Sequence, residues 1–171
     1  MASALNVRPA TPADVRLLSE FAARTFREAF SHMVPPDAMA QYLDESFSEE
    51  RVAAGIADPD TVFLVATDSS GAWAGYCKLH FGAGERPKIP VKLWRLYTAR
   101  EWQGLGVGAQ LLEYAAMIAR KRHGDSLWLT VNTGNTGAVR FYERNGFVRT
   151  GFTMFNLGGE IQRDFVMERR L

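Results

Sequence analysis

The feature that most constrains this chain is a glycine-rich turn between a predicted strand and a predicted amphipathic helix. The turn contains Gln103-Gly104-Leu105-Gly106-Val107-Gly108, with glycine at every second position from 104. Glycine leaves the backbone N–H groups of such a turn uncovered, and a following helix adds its unpaired first-turn N–H groups and the positive end of its dipole. The turn therefore indicates one of two structures. It either binds an anion the size of phosphate or pyrophosphate, or it lets the helix pack closely on the strand.

The same turn matches part of a dinucleotide-binding fingerprint through Gly104, Gly106 and Ala109. A Rossmann turn follows its strand directly, whereas polar residues 100–103 intervene here, and a second mononucleotide-binding half is missing. The sequence also lacks the Gly-Lys-Ser/Thr triplet of a P-loop. These departures disfavour dinucleotide binding and nucleotide hydrolysis.

Hydrophobic periodicity and turn residues give an order of elements that predicts a mixed α/β fold. Strands are predicted over 5–10, 61–67, 72–81, 91–98, 126–132, 147–155 and 161–168. Helices are predicted from Thr11 to residue 30, over 37–47, from Ser48 to before Asp58, over 106–122 and over 136–145. A loop covers 82–90. At the start of the first helix, Thr11 is the predicted N-cap, Pro12 takes the first helical position, and Asp14 completes a capping box.

The composition indicates one globular domain over residues 1–171. Hydrophobic residues make up 47% of the 171 residues, and 20 basic residues face 19 acidic ones. That balance is unlike a protein that binds nucleic acid by neutralising phosphates. The single cysteine, Cys77, permits neither an internal disulfide nor a multi-thiolate metal site, so we expect a buried structural thiol and no metal. The chain shows no membrane-spanning run and no signal peptide, which predicts a cytoplasmic protein without membrane contacts.

The charge is unevenly distributed along the chain. Residues 1–60 carry ten Asp and Glu against five Arg, a net charge of −5, which leaves +6 for the rest. Such an asymmetry suits a cationic ligand on one side and an anionic ligand on the other, or simply solvated helix faces.

Two linked segments of the chain resemble the signature motifs of the GNAT N-acetyltransferases. The first comprises Leu96-Tyr97-Thr98, then residues 101–108, then Leu111-Leu112. The second comprises Asn132, Asn135, Ala138, Phe141-Tyr142-Glu143 and Gly146-Phe147. The resemblance covers roughly residues 91–150. It implies the GNAT fold, which is an α/β (α+β) arrangement with a mixed, mostly antiparallel central sheet, flanked by helices and splayed at its central strands.

A weaker resemblance to the PaiA-type branch of this family extends over nearly the whole chain. It rests on Phe26-Arg27-Glu28-Ala29-Phe30, Tyr42-Leu43 with Phe47, Ala74-Gly75-Tyr76 and residues 146–151. That branch is associated with acetylation of spermidine and spermine. Acceptor assignments transfer poorly between subfamilies, because a fold fixes its cofactor site better than its acceptor site.

The family resemblance implies acetyl-CoA as cosubstrate and identifies the residues that would bind it. The backbone of Leu96, Tyr97 and Thr98 would hold the pantetheine arm and polarise the thioester carbonyl. The amides of Gln103, Gly104, Leu105, Gly106, Val107, Gly108 and Ala109 would hold the pyrophosphate. Asn132 and Asn135 belong to the second motif. Asn135 is expected to contact the cofactor arm, to cap the helix that follows it, or to do both.

The resemblance also indicates catalytic groups. Tyr142 matches the family tyrosine that faces the thioester sulfur, so its phenol would be the general acid, unless it only packs beside Phe141. Many relatives carry a carboxylate shortly before the Leu-Tyr pair, but residues 92–95 include no acid. Glu28 and His80 are the candidate general bases, against surface roles for both, and His32 and His123 are weaker candidates. An ordered water is a further alternative.

Aromatic residues would define the acceptor site, and the acceptor itself stays open at this stage. Phe26, Phe30 and Trp94 would line a site for an amine with an apolar body, or would form core. A small amine such as a polyamine is favoured, with direct attack on the thioester in a ternary complex. The alternatives are a protein N-terminus or lysine as acceptor, and a non-catalytic acetyl-CoA sensor. The C-terminal strands could support a homodimer.

Overall fold

The computed structural model describes residues 4–82, 89–157 and 159–171. Most of the predicted loop over residues 82–90 lies outside these ranges, as does Gly158 between the last two predicted strands. Within them no helix is long and apolar enough to cross a membrane.

The described residues alternate between strands and helices in the predicted order. The strands are β1 (Asn6–Pro9), β2 (Thr61–Thr67), β3 (Trp73–Phe81), β4 (Pro90–Thr98), β5 (Ser126–Asn132), β6 (Val148–Leu157) and β7 (Glu160–Arg170). The helices are α1 (Val15–Phe30), α2 (Pro36–Phe47), α3 (Glu49–Ala57), α4 (Val107–Lys121) and α5 (Thr136–Arg144). Short 3-10 turns, Pro12–Asp14 and Arg100–Trp102, precede α1 and follow β4.

The bounds of β2 and β5 coincide with the predicted strands, because continuous β-branched and apolar runs define both ends locally. The first helix differs, since its predicted first turn is the 3-10 turn Pro12–Asp14 and α1 begins at Val15. The last two strands each end two residues beyond their predicted ends. Their length comes from pairing with each other and with β5, which a local pattern does not report.

One seven-stranded sheet runs in the order β1-β2-β3-β4-β5-β7-β6 through the described residues. Every neighbouring pair is antiparallel except β4 and β5. These two strands are parallel and pair only over Pro90–Lys92 and Ser126–Trp128. The predicted mixed, mostly antiparallel sheet is thus confirmed, including the splay between its central strands.

Each face of the sheet is covered by its own hydrophobic core. On one face α4 packs through a stripe that includes Val107, Leu111 and Leu112, all buried. On the other face α1, α2 and α3 pack against the sheet through side chains such as Phe26 and Leu43. The apolar sides of α1 and α4 therefore pack on opposite faces of the sheet, and both faces beside the splay are covered.

An ion pair joins the first strand to the start of the helical segment. Asp14 accepts hydrogen bonds from Arg8 at 2.7 and 2.8 Å and from the backbone N–H of Thr11 at 2.8 Å. The hydrogen bond from Arg8 is the main reason why the pKa of Asp14 falls to about 2, and the Thr11 backbone contributes further. The predicted capping box is present, and it also holds β1 against the helix start.

Replacing Asp14 with asparagine should lower the free energy of unfolding at neutral pH by about 2 kcal/mol. The folded-state pKa lies below its ordinary value, so the stabilisation is present above about pH 4 and is lost as the pH falls towards about 2. Urea unfolding of both proteins across this range measures the effect. Equal stability at neutral pH would contradict this account of the ion pair.

Candidate active site

The splay between β4 and β5 forms the centre of the candidate site. Among the described residues, β4 has no strand partner on the β5 side beyond Lys92, so backbone groups of residues 93–98 face the opening. A cavity of about 260 Å³ lies there, with walls from β4, β5, α1, α2, α5 and β7. Such an opening can hold an extended chain that pairs with the strand edge, as a further strand would.

Eight of the site residues predicted from the sequence line this cavity. Its walls include Leu96 and Tyr97 of β4, Asn132 of β5, and Asn135 and Tyr142 at α5. The predicted acceptor residues Phe26, Phe30 and Trp94 also line it. Thr98 does not line it and instead continues towards the glycine-rich turn, where its carbonyl accepts a hydrogen bond from Gln103 Nε2 at 3.3 Å.

The glycine-rich turn has the geometry of an open cradle. Gly104 and Gly106 have φ of +77° and +81°, which side-chain-bearing residues rarely adopt. A Cβ atom placed at either glycine would meet nothing within 4 Å. The first α4 N–H bonded to the preceding turn is that of Gln110, which donates to Gly106. The N–H of Gln103, predicted to join the cradle, donates instead to the carbonyl of Arg100 at 3.3 Å. Among the described residues, the N–H groups of 104–109 have no backbone acceptor and can face an anion at the helix N-terminus.

The two predicted asparagines hold the loop between β5 and α5. The side chain of Asn135 accepts a hydrogen bond from Ala138 N at 3.2 Å, so the helix-capping role is confirmed. Asn132 accepts from Gly134 N at 2.8 Å and donates to Gln162 at 3.2 Å. Both also line the cavity, so these local hydrogen bonds orient two amide side chains at its wall.

Tyr142 reaches the cavity from α5. Its ring packs edge-on against Phe141 and Phe147, with centroids 5.2 and 5.5 Å away. Burial raises the pKa of its phenol above the usual value, so the hydroxyl keeps its proton at neutral pH. Packing fixes the ring, and the O–H group is a proton donor at the wall of the cavity.

The aromatic residues predicted for the acceptor site serve as both core and wall. Phe26 is only 4% exposed, and its ring stacks on Tyr42 with centroids 4.6 Å apart and lies 4.6 Å from that of Phe30. Trp94 is different, with 47% of its surface exposed at the mouth of the cavity. The two alternatives left open by the sequence, core and acceptor wall, therefore apply together at Phe26.

The two predicted bases lie outside the cavity wall. Glu28 is an exposed residue of α1 and lies 3.8 Å from Arg24, which also approaches Glu101 at 3.5 Å. His80 lies on β3, where its ring is 3.5 Å from the Thr61 hydroxyl and edge-on to Trp94 at 6.0 Å. Neither side chain joins Tyr142 at the cavity.

One carboxylate in the cavity was not identified from the sequence. Asp164 lies on β7, opposite Asn132 in the β5–β7 register, and is only 7% exposed. Its Oδ1 is buried and has no hydrogen-bond partner among the described residues, and burial raises the pKa of the carboxyl. The sequence offered one signal for this residue, an acid directly before the apolar run Phe165-Val166-Met167. That signal is weak because the strand register, which brings Asp164 beside Asn132, is not visible in the sequence.

Cys77 is buried in the core of the α4 face, as expected for a structural thiol. Burial raises its pKa to about 12, so no thiolate forms at neutral pH. Among residues 4–82, 89–157 and 159–171, no group of three His, Cys, Asp or Glu side chains is arranged to hold a metal ion.

Comparison with known proteins gives one family and one fold. Residues 20–147 match the family model described as acetyltransferase (GNAT) family. An uncharacterized N-acetyltransferase of Mycobacterium tuberculosis is 34% identical over 158 residues, covering 92% of this chain and 98% of that protein. The crystal structure of PaiA N-acetyltransferase from Thermoplasma acidophilum in complex with coenzyme A has a TM-score of 0.82 at 23% identity, covering 98% of this chain and 99% of that one. A mutant of the spermidine N-acetyltransferase SpeG from Vibrio cholerae has a TM-score of 0.73 at 22% identity, covering 97% and 93%.

Proposed function

Because the chain belongs to the GNAT acetyltransferase family, we propose that it transfers an acetyl group from acetyl-CoA to a primary amine. The amine attacks the thioester directly in a ternary complex. One observation carries the proposal. The unpaired edge of β4 leads along the chain into the anion cradle at the start of α4. Acetyl-CoA has matching parts, an extended pantetheine arm and a pyrophosphate.

The residues of this chain fit acetyl-CoA as a cosubstrate. The free N–H groups of residues 104–109 would bind its pyrophosphate, because Gly104 and Gly106 leave the backbone open to close approach. The unpaired edge of β4 over residues 93–98 would bind the pantetheine arm, with Asn132 and Asn135 at the facing wall. One of the β4 amides would polarise the thioester carbonyl.

Two side chains would handle the protons of the reaction. Asp164 would accept the proton that the ammonium must lose before its nitrogen attacks, since it is the one carboxylate that lines the cavity in the described chain. Tyr142 would donate its phenolic proton to the sulfur as the new C–N bond forms and the C–S bond breaks. The acylated nitrogen then loses its second proton to the Tyr142 phenolate, which restores the phenol and leaves the amide and the CoA thiol as products. Glu28 and His80 stay alternatives for the first role, each acting through water from outside the cavity wall.

A small amine is favoured because the acceptor side of the cavity is lined by aromatic side chains of α1 and α2, which suit an amine with an apolar body. A polyamine is one candidate, since the structural relative SpeG is named a spermidine N-acetyltransferase. A protein N-terminus or lysine is the alternative acceptor. The single-domain, cytoplasmic and homodimer assignments stay predictions.

Release of CoA from acetyl-CoA, measured with a thiol reagent against a panel of amines, tests the proposal. The panel contains polyamines, alkyl and aromatic amines, amino acids and short peptides. Amine-dependent release is the expected result. If acetyl-CoA binds but no member gives release, the non-catalytic sensor becomes the better description, and release with peptides alone favours the protein acceptor.

Substituting leucine for Gly106 should weaken acetyl-CoA binding by about tenfold or more, because a side chain would occupy the cradle and the backbone would be strained at positive φ. The matched control is Gly71→Leu in the β2–β3 turn, where φ is +87° and the surrounding space is equally open. Both variants should lose similar stability, but only Gly106→Leu should lose affinity in calorimetric titration. Equal affinity in the two variants would rule out the cradle as the pyrophosphate site.

A further inference from the structure

The acceptor side of the cavity carries a concentration of positive charge. Lys92 and Arg95 of β4 both line the cavity, and Lys78 of β3 pairs with Arg95 in the sheet register. The register shifts by one residue beside Lys78, so Leu79 pairs with Leu93. Trp94 therefore has no partner opposite it on β3. This bulge interrupts the alternation of β4 and places Arg95 on the face covered by α1 and α2, where it contacts Phe47.

These cations have no close counter-ion in the described part of the chain. No carboxylate oxygen lies within 4.0 Å of Lys78, Lys92 or Arg95 in residues 4–82, 89–157 and 159–171. They lie over aromatic rings instead, at 3.9 Å for Lys92 on Trp94 and 4.2 Å for Arg95 on Phe47. Burial lowers the pKa of both lysines, with Arg95 adding to the effect on Lys78. Partly desolvated cations of this kind are costly unless an anion joins them.

The negative charge of the cavity lies on the opposite wall. Asp164 of β7 makes no ion pair with Lys92 or Arg95, so the two poles stay separate. The acidic residues of the N-terminal segment do not line the cavity, although their number suggested a site for a polycation. A polyamine would therefore meet two cations and one carboxylate. A molecule with one ammonium and one anionic group would match both poles.

We propose that the acceptor is a primary amine that also carries a carboxylate or phosphate, and that Arg95 and Lys92 bind this anionic group. The inference rests on the proposed acetyl transfer and specifies its substrate class. The ammonium of such a molecule lies towards Asp164, and the anionic group lies towards β4. Arg95 offers a planar set of N–H donors suited to either oxyanion, and Lys92 adds a second positive charge.

Matched pairs of amines test this proposal by CoA release at saturating acetyl-CoA. β-Alanine is compared with β-alaninamide for the carboxylate, and O-phosphoethanolamine with ethanolamine for the phosphate, with spermidine as the polycation. We expect kcat/KM to be at least about tenfold higher for the anionic member of one pair or both. The pair with the larger ratio identifies which anionic group the site prefers.

The variants Arg95→Gln and Lys92→Gln identify the source of the preference. Each variant should lower the ratio of kcat/KM between the anionic amine and its neutral partner by about tenfold, through a higher KM for the anionic amine. Lys121→Gln makes the same charge change at the exposed end of α4 and should keep the preference. If Arg95→Gln does not fold, the Lys92→Gln variant and the wild-type kcat/KM ratios still test whether the acceptor carries an anionic group.

The outcomes separate this inference from the proposed function. Equal kcat/KM within both pairs, or a preference for spermidine, would overturn the anionic acceptor and leave acetyl transfer standing. A preference that survives both variants would also overturn the role of Arg95 and Lys92. No CoA release with any amine, including peptides, would overturn acetyl transfer itself and the acceptor class with it.

Discussion

Replacing Asp164 with asparagine should lower kcat/KM for amine acetylation by about a hundredfold to a thousandfold. Acetyl-CoA affinity should change by less than about twofold, because the carboxylate would serve the amine rather than the cofactor. The reason lies in the placement of Asp164, which is buried at the cavity wall with one oxygen unpaired. Asparagine keeps the shape but accepts no proton. Steady-state CoA release and calorimetric titration of acetyl-CoA measure the two effects.

The pH dependence and stability of the same variant separate catalysis from structure. Burial raises the pKa of Asp164, so the wild-type kcat/KM should rise as the pH increases through that raised value, and the variant should lose this limb. A raised folded-state pKa means that the charged carboxylate disfavours folding at neutral pH. Asp164→Asn should therefore be as stable as the wild type or more stable. A structural carboxylate would give the opposite result, a loss of stability.

Three further variants make the assignment of the base specific. Glu160→Gln changes an exposed acid on the same strand and should keep full activity. Glu28→Gln and His80→Asn test the positions that the sequence indicated. If either of them loses activity to the extent expected for Asp164→Asn, and Asp164→Asn does not, the proton acceptor is not Asp164.

The order of elements was predictable because each element carries its own local signal. The run Thr61–Thr67 is β-branched and apolar, and α4 shows an apolar stripe after a glycine turn. The sequence does not state how far β4 and β5 pair, or where β7 lies relative to β5. The extent of the β4–β5 pairing and the position of β7 depend on contacts between segments that are distant in sequence. The splay was expected from family resemblance, whereas the bulge at Trp94 and the length of β7 were not predicted.

The backbone geometry at the proposed cofactor side was easier to predict from the sequence than the residues at the proposed acceptor side, for the same reason. Gly104, Gly106 and Asn135 belong to short motifs whose chemistry follows from backbone geometry, and the structure has them in a cradle and at a helix cap. Asp164 reaches the cavity only because β7 pairs with β5 opposite Asn132. A search for an acid close to β4 in sequence could not find Asp164, which shares only the cavity with β4.

Replacing Tyr142 with phenylalanine should reduce kcat by about a hundredfold while acetyl-CoA affinity stays within about twofold. The substitution removes one hydroxyl and keeps the ring that packs against Phe141 and Phe147. Without the hydroxyl, the departing thiolate has no donor from this wall of the cavity. Because burial raises the pKa of Tyr142, its loss should not remove any alkaline limb near neutral pH. Single-turnover CoA release checks the loss of rate, and the melting temperature checks that the ring packing is kept.

The controls for Tyr142 distinguish proton donation from packing. Tyr114→Phe removes a hydroxyl from α4, away from the cavity, and should leave kcat unchanged. Tyr142→Leu should lose both activity and melting temperature, since the ring contacts are lost as well. If Tyr142→Phe retains full kcat and only Tyr142→Leu fails, Tyr142 is a packing residue. The thiolate would then take its proton from water, and catalysis would depend on Asp164 and on the positioning of the reactants along β4.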